Sequence, residues 1–85
     1  MLILSSFKID NVAKSKLDEV IDAVCDELGV SKECIVGNCI SLESENITLW
    51  FKEISGGVFE FKLYVPKNLE SNYVDLINKF KLFQN

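Results

Sequence analysis

The side chains in this sequence that could hold a metal, move a proton or attack a substrate are mainly cysteines, carboxylates and lysines, because its 85 residues include no histidine and no arginine. Histidine alone has an unperturbed pKa near neutrality, so an acid or base here would have to be a strongly shifted Glu, Asp, Lys or Cys. Without arginine there is no forked donor for phosphates or carboxylates. Cys25, Cys34 and Cys39 invite a metal site, but no CxxC occurs, and Cys34 and Cys39 are five apart, which in a regular strand points them to opposite faces. They read as small apolar side chains, with Cys39 the candidate for reactivity. Gly56-Gly57 joins two strand patterns and opens no helix, which makes it a hairpin turn and not a phosphate loop. Glu43 and Glu45 share a loop with no sign of a desolvated cleft around them. The expectation is a non-enzymatic protein with no metal and no cofactor.

The elements that must position any other site are those of a single domain, 1–85. A chain of this size with 48% hydrophobic residues, four glycines and one proline has the makeup of one globular core. The apolar run Met1 to Leu4 is far too short for a membrane span or a signal-peptide core, so a cytoplasmic protein with reduced thiols is expected. The net charge of -4 is uneven: residues 1–45 hold nine acids against four lysines, and residues 46–85 hold four acids against five lysines. Such a field disfavours nucleic acid and anionic membrane and suits a protein partner with a basic surface.

The order of elements reads β-α-β-β-β-α. A first strand is expected from Leu2 to Ile9, then Asp10 or Asn11 capping a helix that runs to Leu28, with Gly29 ending it. Leu17, Val20, Ile21, Val24 and Leu28 form its apolar stripe, while Asp18, Asp22 and Asp26 stack along another side. From Cys34 to Val65 the period becomes two. Leu42 opposite Ile47 puts Val36, Ile40 and Leu42 on the inner face and Ile35, Cys39 and Ser41 on the outer. Matching apolar sets pairs Phe51 with Phe61, Leu49 with Leu63 and Ile47 with Val65, and on the other side Lys52 with Glu60, Trp50 with Lys62 and Thr48 with Tyr64. That register is met by a three-residue loop Ser55-Gly56-Gly57 with Gly57 left-handed, whereas a plain two-residue turn would mix the faces. Pro66 stops the last strand, and Asn68 or Ser71 can cap a second helix with the stripe Leu69, Tyr73, Leu76, Ile77, Phe80 and Phe83. The fold class is α+β, a two-layer sandwich of an antiparallel sheet with both helices on one face.

From Asp10 to Phe83 this order is similar to that of double-stranded-RNA-binding domains, with an extra leading strand. The resemblance is one of topology. Those domains hold phosphates with lysines at the start of the last helix, where this chain has Asn68-Leu69-Glu70-Ser71, so no residue role is carried across.

Two surfaces stand out as partner-binding candidates. The outer sheet face shows Trp50 among Thr48, Tyr64, Cys39, Ile54, Val58 and Lys62, a large aromatic ringed by smaller and mixed groups. The stripe Asp18, Asp22 and Asp26, flanked by Glu19 and Glu27, repels itself by about 0.2–0.5 kcal/mol per pair, with only Lys14 one turn away to relieve it. A helix that tolerates this fits a basic groove. The leading expectation is a small acidic regulatory module that binds another protein, in one version an inhibitor from a phage, virus or mobile element that occludes a basic nucleic-acid-handling host complex. The Lys-rich, Arg-free coding of an AT-rich genome suits that version. One alternative is a homodimeric assembly component using the Trp50 face, and a weaker one is nucleic-acid binding through Lys62, Lys67, Lys79 and Lys81.

Overall fold

The first strand is longer than its unbroken alternation suggests. The computed structural model describes residues 2–84, with the backbone alone at Cys34. In it β1 spans Leu4–Ala13 and pairs antiparallel with the last strand, from Leu4 opposite Pro66 to Ala13 opposite Val58. A bulge between Ile9 and Val12 breaks the alternation, with Asn11 left-handed at φ 57°. Asparagine tolerates that conformation, and the extra residue returns Val12 to the inner face, where it is fully buried. Asp10 and Asn11 are therefore strand residues and cap no helix. A 3-10 turn, Lys14–Lys16, leads into α1, Leu17–Leu28, which starts without a side-chain cap. Its end follows expectation: Gly29 is left-handed at φ 69°, and the Val30 N–H returns to the Cys25 carbonyl at 3.1 Å.

The remaining strands form a meander: β2 Cys39–Leu42, β3 Ile47–Ser55 and β4 Val58–Pro66. The sheet order is β1-β4-β3-β2, all antiparallel. Leu42 faces Ile47, and β3 and β4 pair as the apolar match requires, from Thr48 opposite Tyr64 to Glu53 opposite Phe59. The hairpin tip differs. Ser55 faces Val58 across a two-residue Gly56-Gly57 turn, and Ile54 is the bulged residue that absorbs the offset. The bulge lets the short turn coexist with unmixed faces, while Gly57 takes the left-handed position at φ 75°.

Before β2 the faces are reversed. Val36 is 79% exposed and Ile35 packs on the core. Val36 and Cys39 exchange both backbone hydrogen bonds around the left-handed Gly37, and this tight turn cancels the alternation assumed from Cys34 onward. The expectation about which way the Cys34 side chain points lies outside the described residues. After Pro66 a 3-10 stretch, Lys67–Tyr73, precedes α2, Val74–Lys81, and neither Asn68 nor Ser71 caps it.

Both helices cover the same sheet face. Val20, Ile21, Val24 and Cys25 of α1 and Leu76, Ile77 and Phe80 of α2 bury against Ile9, Val12, Ile40, Ile47, Leu49, Phe61, Leu63 and Val65. The rings of Phe51 and Phe61 lie 5.5 Å apart across the β3–β4 pair. The result is the α+β two-layer sandwich. Among the described residues no helix is long and apolar enough to cross a membrane.

Candidate functional site

With the helices on one side, period-two alternation leaves β2, β3 and β4 presenting Cys39, Ser41, Thr48, Trp50, Lys52, Glu60, Lys62 and Tyr64 on the other. Trp50 lies between its cross-strand partners Cys39 and Lys62, and Thr48 between Ser41 and Tyr64. The Ser41 and Thr48 hydroxyls are 3.2 Å apart, sharing a hydrogen bond. Trp50, Thr48, Tyr64 and Lys62 are each half-buried by neighbours within the face. Two ammonium groups approach the indole, Lys62 Nζ at 5.3 Å and Lys52 Nζ at 5.6 Å from its centroid, within range of cation–π attraction. β1 does not fold over the indole, since it extends the sheet beyond β4.

Docking of β1 adds a feature that residue spacing within the β2–β4 meander does not reveal. Lys8 falls opposite Lys62, and Glu60 lies 3.9 Å from the first ammonium and 3.7 Å from the second. The Glu60 side chain is only 14% exposed, so this one carboxylate holds two lysines together. Around Trp50 the face thus carries Lys8, Lys52 and Lys62 against Glu60, in a chain whose net charge is -4. Lys52 was legible from the register. Lys8 and Glu60 gained significance only when β1 paired with β4, although the alternation Ser6, Lys8 against Phe7, Ile9 was the signal available.

The acidic stripe lies on the opposite layer. Asp18, Asp22 and Asp26 are exposed on α1, so the two candidate surfaces are not brought together. Relief of the stripe comes from residues other than Lys14. Lys32 reaches Asp22 at 2.8 Å, and Lys79 of α2 donates to Glu27 across 52 residues of sequence. The hydrogen bond to Asp22 holds the Lys32 ammonium above its usual pKa of 10.5, and the one to Glu27 does the same for Lys79. Beside the stripe a groove between the helices is lined by Asp22, Asp26, Lys79, Leu82 and Phe83, with Leu82 82% exposed.

The lysines considered for nucleic acid do not converge. Lys62 is on the outer face, Lys67 donates its backbone N–H to Ile3, Lys79 is paired with Glu27, and Lys81 lies 5.0 Å over the Phe7 ring. Cys25 is buried and Cys39 half-buried. Among the described residues no three of His, Cys, Asp and Glu stand close enough to share a metal ion.

No family model, curated protein or solved structure matches this chain.

Proposed function

We propose that this protein is a non-enzymatic binding module that recognises another protein through the outer sheet face centred on Trp50, and regulates that partner by occluding the surface it covers. One observation carries the reading: a tryptophan sits mid-sheet on the face that neither helix covers, bordered by Cys39, Thr48 and two lysines. Such an anchor offers a large contact area with only two side-chain rotations to freeze, and a mixed polar rim suits a reversible interface. The local excess of Lys8, Lys52 and Lys62 over Glu60 favours an acidic or phosphorylated rim on the partner.

A second reading follows from the groove beside the acidic stripe. Leu82, exposed next to Asp22 and Asp26, suits a basic segment with an apolar anchor, which is how an inhibitor of a nucleic-acid-handling complex from a phage or other mobile element would engage it. Affinity capture from lysate of the natural source separates the two. A stoichiometric partner retained by an Asp18/Asp22/Asp26→Lys variant and lost by Trp50→Ala supports the sheet face. The converse pattern supports the helix groove, and the absence of any specific partner removes both.

A further inference from the structure

The two edges of the sheet differ in what they leave unpaired. Lys67 donates its backbone N–H to the Ile3 carbonyl at 2.9 Å, which makes Leu4 and Pro66 a non-hydrogen-bonded pair. By alternation the peptide groups of Ser5, Phe7 and Ile9 point to β4, and those of Leu4, Ser6 and Lys8 point away from the sheet. The next outward N–H, that of Asp10, is taken by the Gln84 side chain at 3.1 Å, whose amide returns to the Asp10 carboxylate at 3.0 Å. The bulge at Asn11 then bends the strand. At the opposite edge β2 is short, and the outward N–H and C=O of Cys39 are both used by Val36. The long open edge is therefore β1, three outward residues ending at a built stop.

Beside that edge lies an apolar groove between β1 and α2, lined by Phe7, Val74 and Ile77, with Glu70 toward one end and Lys81 toward the other. Leu4 and Val74 are 46% and 48% exposed. α2 runs in the same direction as β1, since Lys67 meets Ile3 and Gln84 meets Asp10. A two-fold axis at Ser6 would set Ser6 against its own copy and Leu4 against Lys8 of the other. It would also set the Val74 surfaces together and Glu70, in the 3-10 stretch before each α2, toward Lys81 of the other copy. Any extended peptide could meet the open amides, but a second copy necessarily supplies the complement of both ends, a lysine for Glu70 and a carboxylate for Lys81.

We propose that the protein forms a two-fold homodimer by antiparallel β1–β1 pairing through Leu4, Ser6 and Lys8, with the α2 helices packing across the axis. The two sheets become one continuous sheet with both Trp50 faces on the same side, so the dimer presents two copies of the outer face. The inference is independent of what that face binds.

Sedimentation equilibrium of the full chain from low micromolar to millimolar concentration tests it. Wild type is expected to dimerise. Ser6→Pro removes an N–H that points to solvent in the monomer, a position where an edge strand accepts proline, and is expected to raise the dimer dissociation constant at least about thirtyfold through one lost bond per copy, with unchanged far-UV circular dichroism. Lys81→Glu is expected to weaken the dimer, and adding Glu70→Lys to restore it. Should Ser6→Pro fail to fold, amide exchange of wild type provides the readout: Leu4, Ser6 and Lys8 gain protection with concentration, and Ser41 does not. A monomer at millimolar concentration, a dimer insensitive to Ser6→Pro and to the charge swap, exchange at Leu4, Ser6 and Lys8 independent of concentration, or a dimer abolished by Trp50→Ala alone would each overturn the proposal.

Discussion

Replacing Trp50 by alanine tests whether the outer face is a surface or a second core. The indole has no helix over it, and its enthalpic contacts within the monomer are the two ammonium groups at 5.3 and 5.6 Å together with its strand neighbours. Exposed cation–π contacts contribute about 0.5–1 kcal/mol each, and a half-buried ring adds a partial transfer term, so the expected loss is about 1–2.5 kcal/mol. Phe61, one residue before Lys62 on β4, points to the other side and is fully buried against Phe51. Truncating it leaves a cavity among α1, α2 and the sheet, with an expected loss of about 3–5 kcal/mol. A domain of this size is stable by roughly 4–13 kcal/mol in total, so the two variants should be plainly distinguishable. Urea unfolding measures both, with a shift of the midpoint at constant slope identifying a change in stability alone. If Trp50→Ala costs as much as Phe61→Ala, the indole is core and not recognition surface, and the assignment of this face to partner binding fails. A small loss of stability combined with lost partner capture is the result the reasoning requires.

Other outcomes follow from single features. Gly57 is left-handed and Gly56 is not, and neither has an atom within 4 Å of an added Cβ, so Gly57→Ala should destabilise by about 1 kcal/mol and Gly56→Ala by well under that in the same urea assay. The pKa values of Lys32 and Lys79 are raised in the folded state, so the stability linked to Asp22 and Glu27 is fully present below the unfolded value of 10.5 and is lost as pH rises through the folded values. Thermal melting between neutral and strongly alkaline pH should therefore show a steeper alkaline decline for wild type than for a Lys32→Ala/Lys79→Ala variant. In a Cys34→Ser background, an aromatic disulfide reagent should label half-buried Cys39 rapidly and quench its neighbour Trp50, while Cys25 reacts only on unfolding. Equal rates for the two thiols would show that α1 opens readily from the sheet.

Much of the outer face was legible in the residues because facing is a local property. The period-two pattern of β3 and β4 and the need to match apolar sets place Trp50 opposite Lys62 and Thr48 opposite Tyr64 without knowledge of any other element. The stripe of α2 was equally legible, with Leu76, Ile77 and Phe80 buried as the helical spacing requires. Irregularities were not. Asn11, Gly37 and the bulge at Ile54 each shift a register by one residue, and at Ile54 the shift preserved the pairing by a turn shorter than the simple alternation allowed.

Composition and periodicity alone determined the two-layer α+β architecture, the inward-facing set and the absence of histidine and arginine chemistry, since these depend only on residue type and spacing. Where β1 docks, and with it the Lys8–Glu60–Lys62 cluster, the uncovered Trp50 and the open amides of Leu4, Ser6 and Lys8, was decided by tertiary structure. So was the pairing of two of the acidic helix's five carboxylates, Asp22 with Lys32 and Glu27 with Lys79, the last pair 52 residues apart. The physical reason is the same in each case: pairing between segments distant in sequence is chosen by the sum of burial and hydrogen bonding over the whole fold, and no local period records that choice.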